Sequence, residues 1–136
     1  MDQCCGNLFD RTPFAWAKAV EWGERPEEFV KRAGFALMAA LAVHDKRASD
    51  GRFVAFLPII EREAGDRRNF VRKAVNWALR EIGKRNPALN EKAVETARRI
   101  LDTGERSARW VASDALRELT GEPVRARLSK RTTPPA

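Results

Sequence analysis

Between Arg68 and Asn86 the chain separates its apolar and polar residues at helical spacing, and no other stretch constrains the fold as much. At about 100° per residue, Phe70, Val71, Ala74, Val75, Ala78 and Ile82 fall in one continuous arc, the stripe a helix needs to bury itself against neighbours. Trp77 projects from the edge of that arc beside Lys73, Arg80 and Lys84, so one large aromatic ring sits within a cationic strip. That combination suits a polyanion. The plainer alternative is an indole packed on a neighbouring helix, with the basic residues merely solvated.

The rest of the chain reads in the same period. No segment longer than a few residues alternates with period two, so the expected fold is all-α. Asp2 to Phe9 reads as the end of a helix. Thr12-Pro13 is a start signal for a helix over 13–22, with Gly23 as its stop. Pro26, with Glu27 and Glu28 in the first turn, opens a helix to about Asp45, and His44 in its last turn serves as a C-terminal cap. Its apolar run Ala33–Val43 has 11 residues, against the roughly 20 that span a membrane, and reads as buried core. Arg32 falls on this helix among Ala36, Ala39 and Val43. A guanidinium there must snorkel or find an acceptor, because burial unpaired costs on the order of 3 to 5 kcal/mol. Glu28 offers a bland partner, and a phosphate or a site carboxylate a functional one. Ser49 or Asp50 caps a helix of about 51–64 bent at Pro58. Gly65-Asp66 turns into the central helix and Asn86-Pro87 breaks it. Asn90 caps a helix of about 91–103 ended by Gly104, and a final helix over 105–120 stops at Gly121 and Pro123.

A chain of 136 residues can bury an ordinary core as one domain, here placed at residues 1–128, followed by a basic, Pro-rich tail over 129–136 expected to be disordered. The two cysteines, Cys4 and Cys5, are adjacent, which practically excludes a normal disulfide between them. With an N-terminus that lacks a basic leader and an apolar signal core, this points to a reducing, cytoplasmic setting. A single His, and no cluster at ligand spacing, give no case for a metal, and no cofactor is implied. The net charge of +7 is unevenly spread. Residues 1–66 carry 9 basic against 11 acidic side chains, and residues 67–136 carry 17 against 8. The basic character begins with the central helix, which argues for an anionic partner, nucleic acid first.

Two short motifs recur. Phe29-Val-Lys-Arg-Ala33 returns as Phe70-Val-Arg-Lys-Ala74, and Ala78-Leu-Arg-Glu81 as Ala115-Leu-Arg-Glu118, at offsets of 41 and 37 residues. Paired helices with a period near 40 indicate a HEAT-like repeat α-solenoid, in which each unit buries its face on the next. The alignment makes Arg32, Lys73 and Trp110 equivalent and sets Trp77 opposite Asp114. Stacking would line one surface with Arg32, Lys73, Trp77, Arg80, Trp110 and Arg117, basic and aromatic side chains together.

At Phe29-Val-Lys-Arg-Ala-Gly-Phe-Ala-Leu and Lys73-Ala-Val-Asn-Trp-Ala-Leu-Arg-Glu the sequence resembles the AlkD-like DNA alkylation repair family of HEAT-like-repeat glycosylases acting on alkylated purines. The resemblance runs from Asp2-Gln-Cys-Cys-Gly-Asn through Asp114-Ala-Leu-Arg-Glu to about Lys130. It covers the C-terminal portion of such a protein, with several N-terminal helices lacking a counterpart. It implies hydrolysis of the N-glycosidic bond of cationic lesions such as 3-methyladenine and 7-methylguanine in duplex DNA, by a monomer. It also implies site residues: the catalytic aspartate falls on Asp2, the phosphate-contacting arginine on Arg32, and the tryptophan against the lesion's deoxyribose on Trp77. Lys31, Lys73, Arg80, Lys84, Trp110 and Arg117 are the further candidate DNA contacts. The family usually places a second tryptophan four residues before the aspartate, whereas here Met1 immediately precedes Asp2. A site loose by 1 Å loses on the order of a hundredfold in rate, so impaired activity is the expectation for this chain alone. The alternatives are a non-catalytic DNA-binding HEAT-repeat module and a HEAT-like scaffold for acidic proteins. Bulk duplex DNA would displace a partner from the first and leave the second untouched.

Overall fold

A computed structural model describes residues 13–45 and 48–132, in which all regular structure is helical. The helices are α1 (Pro13–Gly23), α2 (Glu28–His44), α3 (Asp50–Val54), α4 (Leu57–Glu63), α5 (Asn69–Gly83), α6 (Pro87–Asp102), α7 (Arg106–Leu119) and α8 (Glu122–Thr132). Among the described residues no helix is long and apolar enough to cross a membrane.

Each major helix forms because its apolar residues recur every three or four positions and meet a partner. Helix α5 buries Val71, Ala74, Val75, Ala78, Leu79 and Ile82; α6 buries Leu89, Ala93, Val94, Ala97 and Ile100; α7 buries Ala108, Val111, Ala112, Ala115 and Leu119. The apolar run of α2 is core as expected, with Phe35, Met38, Ala39, Leu41 and Ala42 buried. Helix α5 packs between α2 and α7, while α1 covers α2, α4 packs on α5 and α6, and α6 covers α7.

The contacts between neighbouring units advance together along the chain. Arg32 meets Phe70, Arg72 meets Trp110, Asn76 meets Val111, and Arg80 meets Glu118, so α2, α5 and α7 run parallel. On the other layer Arg62 donates to Glu24 and Arg99 to Glu61, each across 38 residues. The period near 40 seen in the sequence is thus also the spacing of the polar ties between helix pairs, the arrangement a stacked helical repeat requires.

Several boundaries differ from expectation, each for a local reason. The central helix ends at Gly83, with Lys84 as its C-cap, instead of reaching Asn86. The bent helix over 51–64 is two helices, since Pro58 lacks the N–H that would carry the ladder through and sits instead in the first turn of α4. Pro87 does not only break α5; it starts α6, with Asn86 as N-cap accepting from the Leu89 N–H at 2.8 Å. Asn90, expected as that cap, uses its amide to tie the last carbonyls of two helices, donating to Gly83 O and Leu119 O at 3.1 Å each. The chain does not stop at Pro123, because Val124 and Leu128 are spaced one turn apart and bury against the end of the stack, forming α8. Gly104 does end α6, in the left-handed region at φ 77°.

Arg32 is the larger correction. It is exposed, and the buried cation of α2 is its neighbour Lys31, 7% exposed. Lys31 Nζ donates to Glu63 and lies 3.5 Å from Asp66. Asp66 also takes two bonds from the Arg68 guanidinium, at 3.0 and 2.7 Å, and one from the Arg68 N–H, and its carbonyl accepts from Ser107 Oγ. Arg68 reaches on to the carbonyl of Pro26 at 2.8 Å. The Asp66 carboxylate therefore joins α2 to the α4–α5 turn, and its main-chain carbonyl ties that turn to α7. Close packing beside it depends on Gly34: a Cβ there would lie 2.2 Å from the Gly23 nitrogen, so only glycine lets the end of α1 approach α2.

Two outcomes follow. Gly34→Ala forces main chain apart and should cost about 2 kcal/mol or more, lowering the thermal midpoint by at least about 5 °C. The Arg68 hydrogen bonds, with help from Lys31, hold the Asp66 carboxyl down from 3.8 to about 2. Because the folded value lies below the unfolded one, this stabilisation is complete above about pH 4 and is lost as pH falls towards 2. Denaturant titrations from pH 5 to 2.5 should show Asp66→Asn flattening the acid limb by roughly 1 to 2 kcal/mol.

Candidate nucleic-acid interface

Among the described residues, the exposed aromatic rings lie on α2, α5 and α7: Phe29 at 69%, Phe70 at 50%, Trp77 at 41% and Trp110 at 38%. Exposed rings gathered on neighbouring helices offer apolar surface that a partner can cover. Phe70, expected within the buried arc of α5, lies at its rim, where the Arg32 guanidinium covers its ring at 5.3 Å. Trp77 stands seven residues further along the same arc, and Lys73 between them is exposed. On α7 the ring of Trp110 rests on the Arg72 guanidinium at 4.8 Å, and Arg72 is braced by Asn69 Oδ1 at 3.0 Å. Arg32, Lys73 and Trp110 each occupy the fifth residue of their helices, which begin at Glu28, Asn69 and Arg106, so the three share one register position within their helices.

The candidate cations divide into two groups. Arg32, Lys73 and Arg117 are exposed and in no ion pair among the described residues. Arg80 and Lys84 are engaged at the α5–α7 seam. Arg80 donates to Asn76 Oδ1 at 2.8 Å and to Glu118 at 3.2 Å, and approaches Asp114 at 3.8 Å; Lys84 bridges Glu81 at 2.9 Å and Glu118 at 3.2 Å. Buried Asn76 completes this seam by donating to the Val111 carbonyl at 3.1 Å. Burial pushes the Glu118 carboxyl up, but Lys84 and Arg80 outweigh it and hold it below the usual carboxylate range. Lys31 lies inside the protein, away from this surface. Asp2 lies outside the described residues, as do Cys4, Cys5 and Thr12.

Sequence reasoning passed over Phe29, Phe70 and Arg72 as part of the surface. A signal existed for the two phenylalanines, since both occupy the second residue of a repeated helix start. Nothing in the sequence alone marked Arg72 as the support beneath Trp110.

The fold and this face together define an all-α stack of helix pairs presenting a basic, tryptophan-bearing surface. A family model described as DNA alkylation repair enzyme matches residues 1–119, and the chain belongs to that family. The membership gives the protein a role in DNA repair and makes DNA the partner its family implies. No curated protein and no solved structure matches the chain.

Because Glu118 restrains Arg80 and Lys84, removing its charge has opposite effects on two measurements. Glu118→Gln should lower the thermal midpoint by a few degrees while strengthening duplex binding at low salt and steepening its salt dependence.

Proposed function

We propose that the protein is a DNA glycosylase that hydrolyses the N-glycosidic bond of alkylated purines of the 3-methyladenine and 7-methylguanine type in duplex DNA. The observation that carries this reading is the exposed Trp77, on the solvent face of α5 beyond Lys73 and the Arg32–Phe70 pair, in a chain of the DNA alkylation repair enzyme family.

A cationic base is already a good leaving group, so the task left to the protein is to stabilise the oxocarbenium-like sugar and to position water. Asp2 supplies the carboxylate in this mechanism. Trp77 presents its indole to the deoxyribose of the lesion, where positive charge develops, and Arg32 holds a flanking phosphate. Its contact with the Phe70 ring, 5.3 Å from the guanidinium carbon, uses none of its hydrogen-bond donors, which leaves them for phosphate oxygens. Lys73, Trp110 and Arg117 extend contact along the DNA backbone.

The test is release of free base from duplex DNA containing 7-methylguanine. Asp2→Asn should abolish release while duplex affinity is retained. Arg32→Ala should weaken binding, and Trp77→Ala should reduce release by about 10-fold or more beyond its effect on binding. Duplex binding without release by the unaltered protein would replace this reading with a non-catalytic DNA-binding module. Failure of bulk duplex to compete with an acidic protein partner would indicate an interaction scaffold.

A further inference from the structure

Helix α8 lies outside the family match, which ends at residue 119, yet it is built into the fold. Val124 and Leu128 bury against α6 and α7, and this seating fixes where its basic residues point. Arg125 turns back to donate to the Thr120 carbonyl at 3.1 Å, closing the end of α7. Arg127 goes the other way. It lines a cleft of about 540 Å3 together with Val43 of α2 and Glu81, Lys84 and Arg85 at the end of α5. It is exposed and has no ion-pair partner among the described residues.

The cleft's other cations have structural work. Lys84 holds Glu81 and Glu118, and Arg85 donates to the carbonyls of Ala42, Asp45 and Ala48 while lying 4.1 Å over the Phe53 ring. Arg127 thus adds a cation to a cleft where three basic side chains face one carboxylate, Glu81. The cleft also continues the face that runs along α5 from Phe70. At about 1.5 Å per residue, the 14 positions from Phe70 to Lys84 span roughly 21 Å, long enough to follow several successive phosphates of one strand.

From this geometry we infer that α8 is an added DNA clamp, in which Arg127 binds a backbone phosphate of duplex DNA at the cleft beyond the end of α5. The inference rests on the DNA-binding part of the proposed function. It makes the DNA footprint longer than the region matched by the family.

The experiment measures the affinity of an unmodified 20-base-pair duplex by fluorescence anisotropy across a salt series, so that the result is independent of base release. Arg127→Ala should lower the slope of log affinity against log salt by about 0.9, the loss of one phosphate contact, and weaken binding by about 5- to 10-fold at 0.1 M salt. Its thermal midpoint should be unchanged, because Arg127 holds nothing within the fold. Arg98→Ala, which removes the same charge from the exposed stripe of α6, should leave the slope as it is. An unchanged slope for Arg127→Ala, or an equal drop for both variants, would overturn the clamp while leaving the proposed function standing. No duplex binding by the unaltered protein would overturn both.

Discussion

A lysine ammonium taken into the interior at the start of α2 determines how the rest of the molecule can be arranged. Lys31 and Arg32 are about 100° apart on their helix. Once Lys31 is drawn inward by Glu63 and Asp66, Arg32 has to face solvent above Phe70. Leaving that ammonium without its carboxylates would cost several kcal/mol, so the rotation of α2 about its own axis is not free to drift. Asp66 transmits the constraint, since the same residue is held by Arg68 and accepts from Ser107 on α7. Exposed and interior parts of the stack are therefore oriented by one set of charges.

The distribution of charge along the chain overstates what the surface can offer to DNA. Of the basic residues from the central helix onward, Arg68, Arg80, Lys84 and Arg99 all form ion pairs within the protein. These pairs fall mainly between neighbouring helix pairs, where they set register. On the face that bears the exposed rings, what remains for a polyanion is Arg32, Lys73 and Arg117, beside aromatic surfaces that can lie on sugar or base.

Helix periodicity made the all-α class legible, and the two repeated segments, Phe-Val-basic-basic-Ala and Ala-Leu-Arg-Glu, together made the equivalent register of Arg32, Lys73 and Trp110 legible as well. Periodicity could not tell Lys31 from Arg32 as the buried cation, because the deciding partners, Glu63 and Asp66, come from another unit. It also misplaced Phe70, which sits at the rim of an apolar arc where a few degrees of rotation separate core from solvent. In sequence alone Pro87 and Pro123 look like stops, whereas both stand in the first turn of a helix, where a missing N–H costs nothing. Whether a proline ends one helix or starts another depends on what the following apolar residues can reach, and that information is not local.

The polar ties described above each reach to the adjacent helix pair, at separations close to one repeat. Where the units of a helical stack are tied chiefly to their neighbours, stability approximates a sum of unit and nearest-neighbour terms. A disturbance at α8 is felt by α6 and α7 and fades before α1. Such an array can breathe from one end while the other stays closed, and a surface that spans several units can adjust its curvature in small increments without any single hinge.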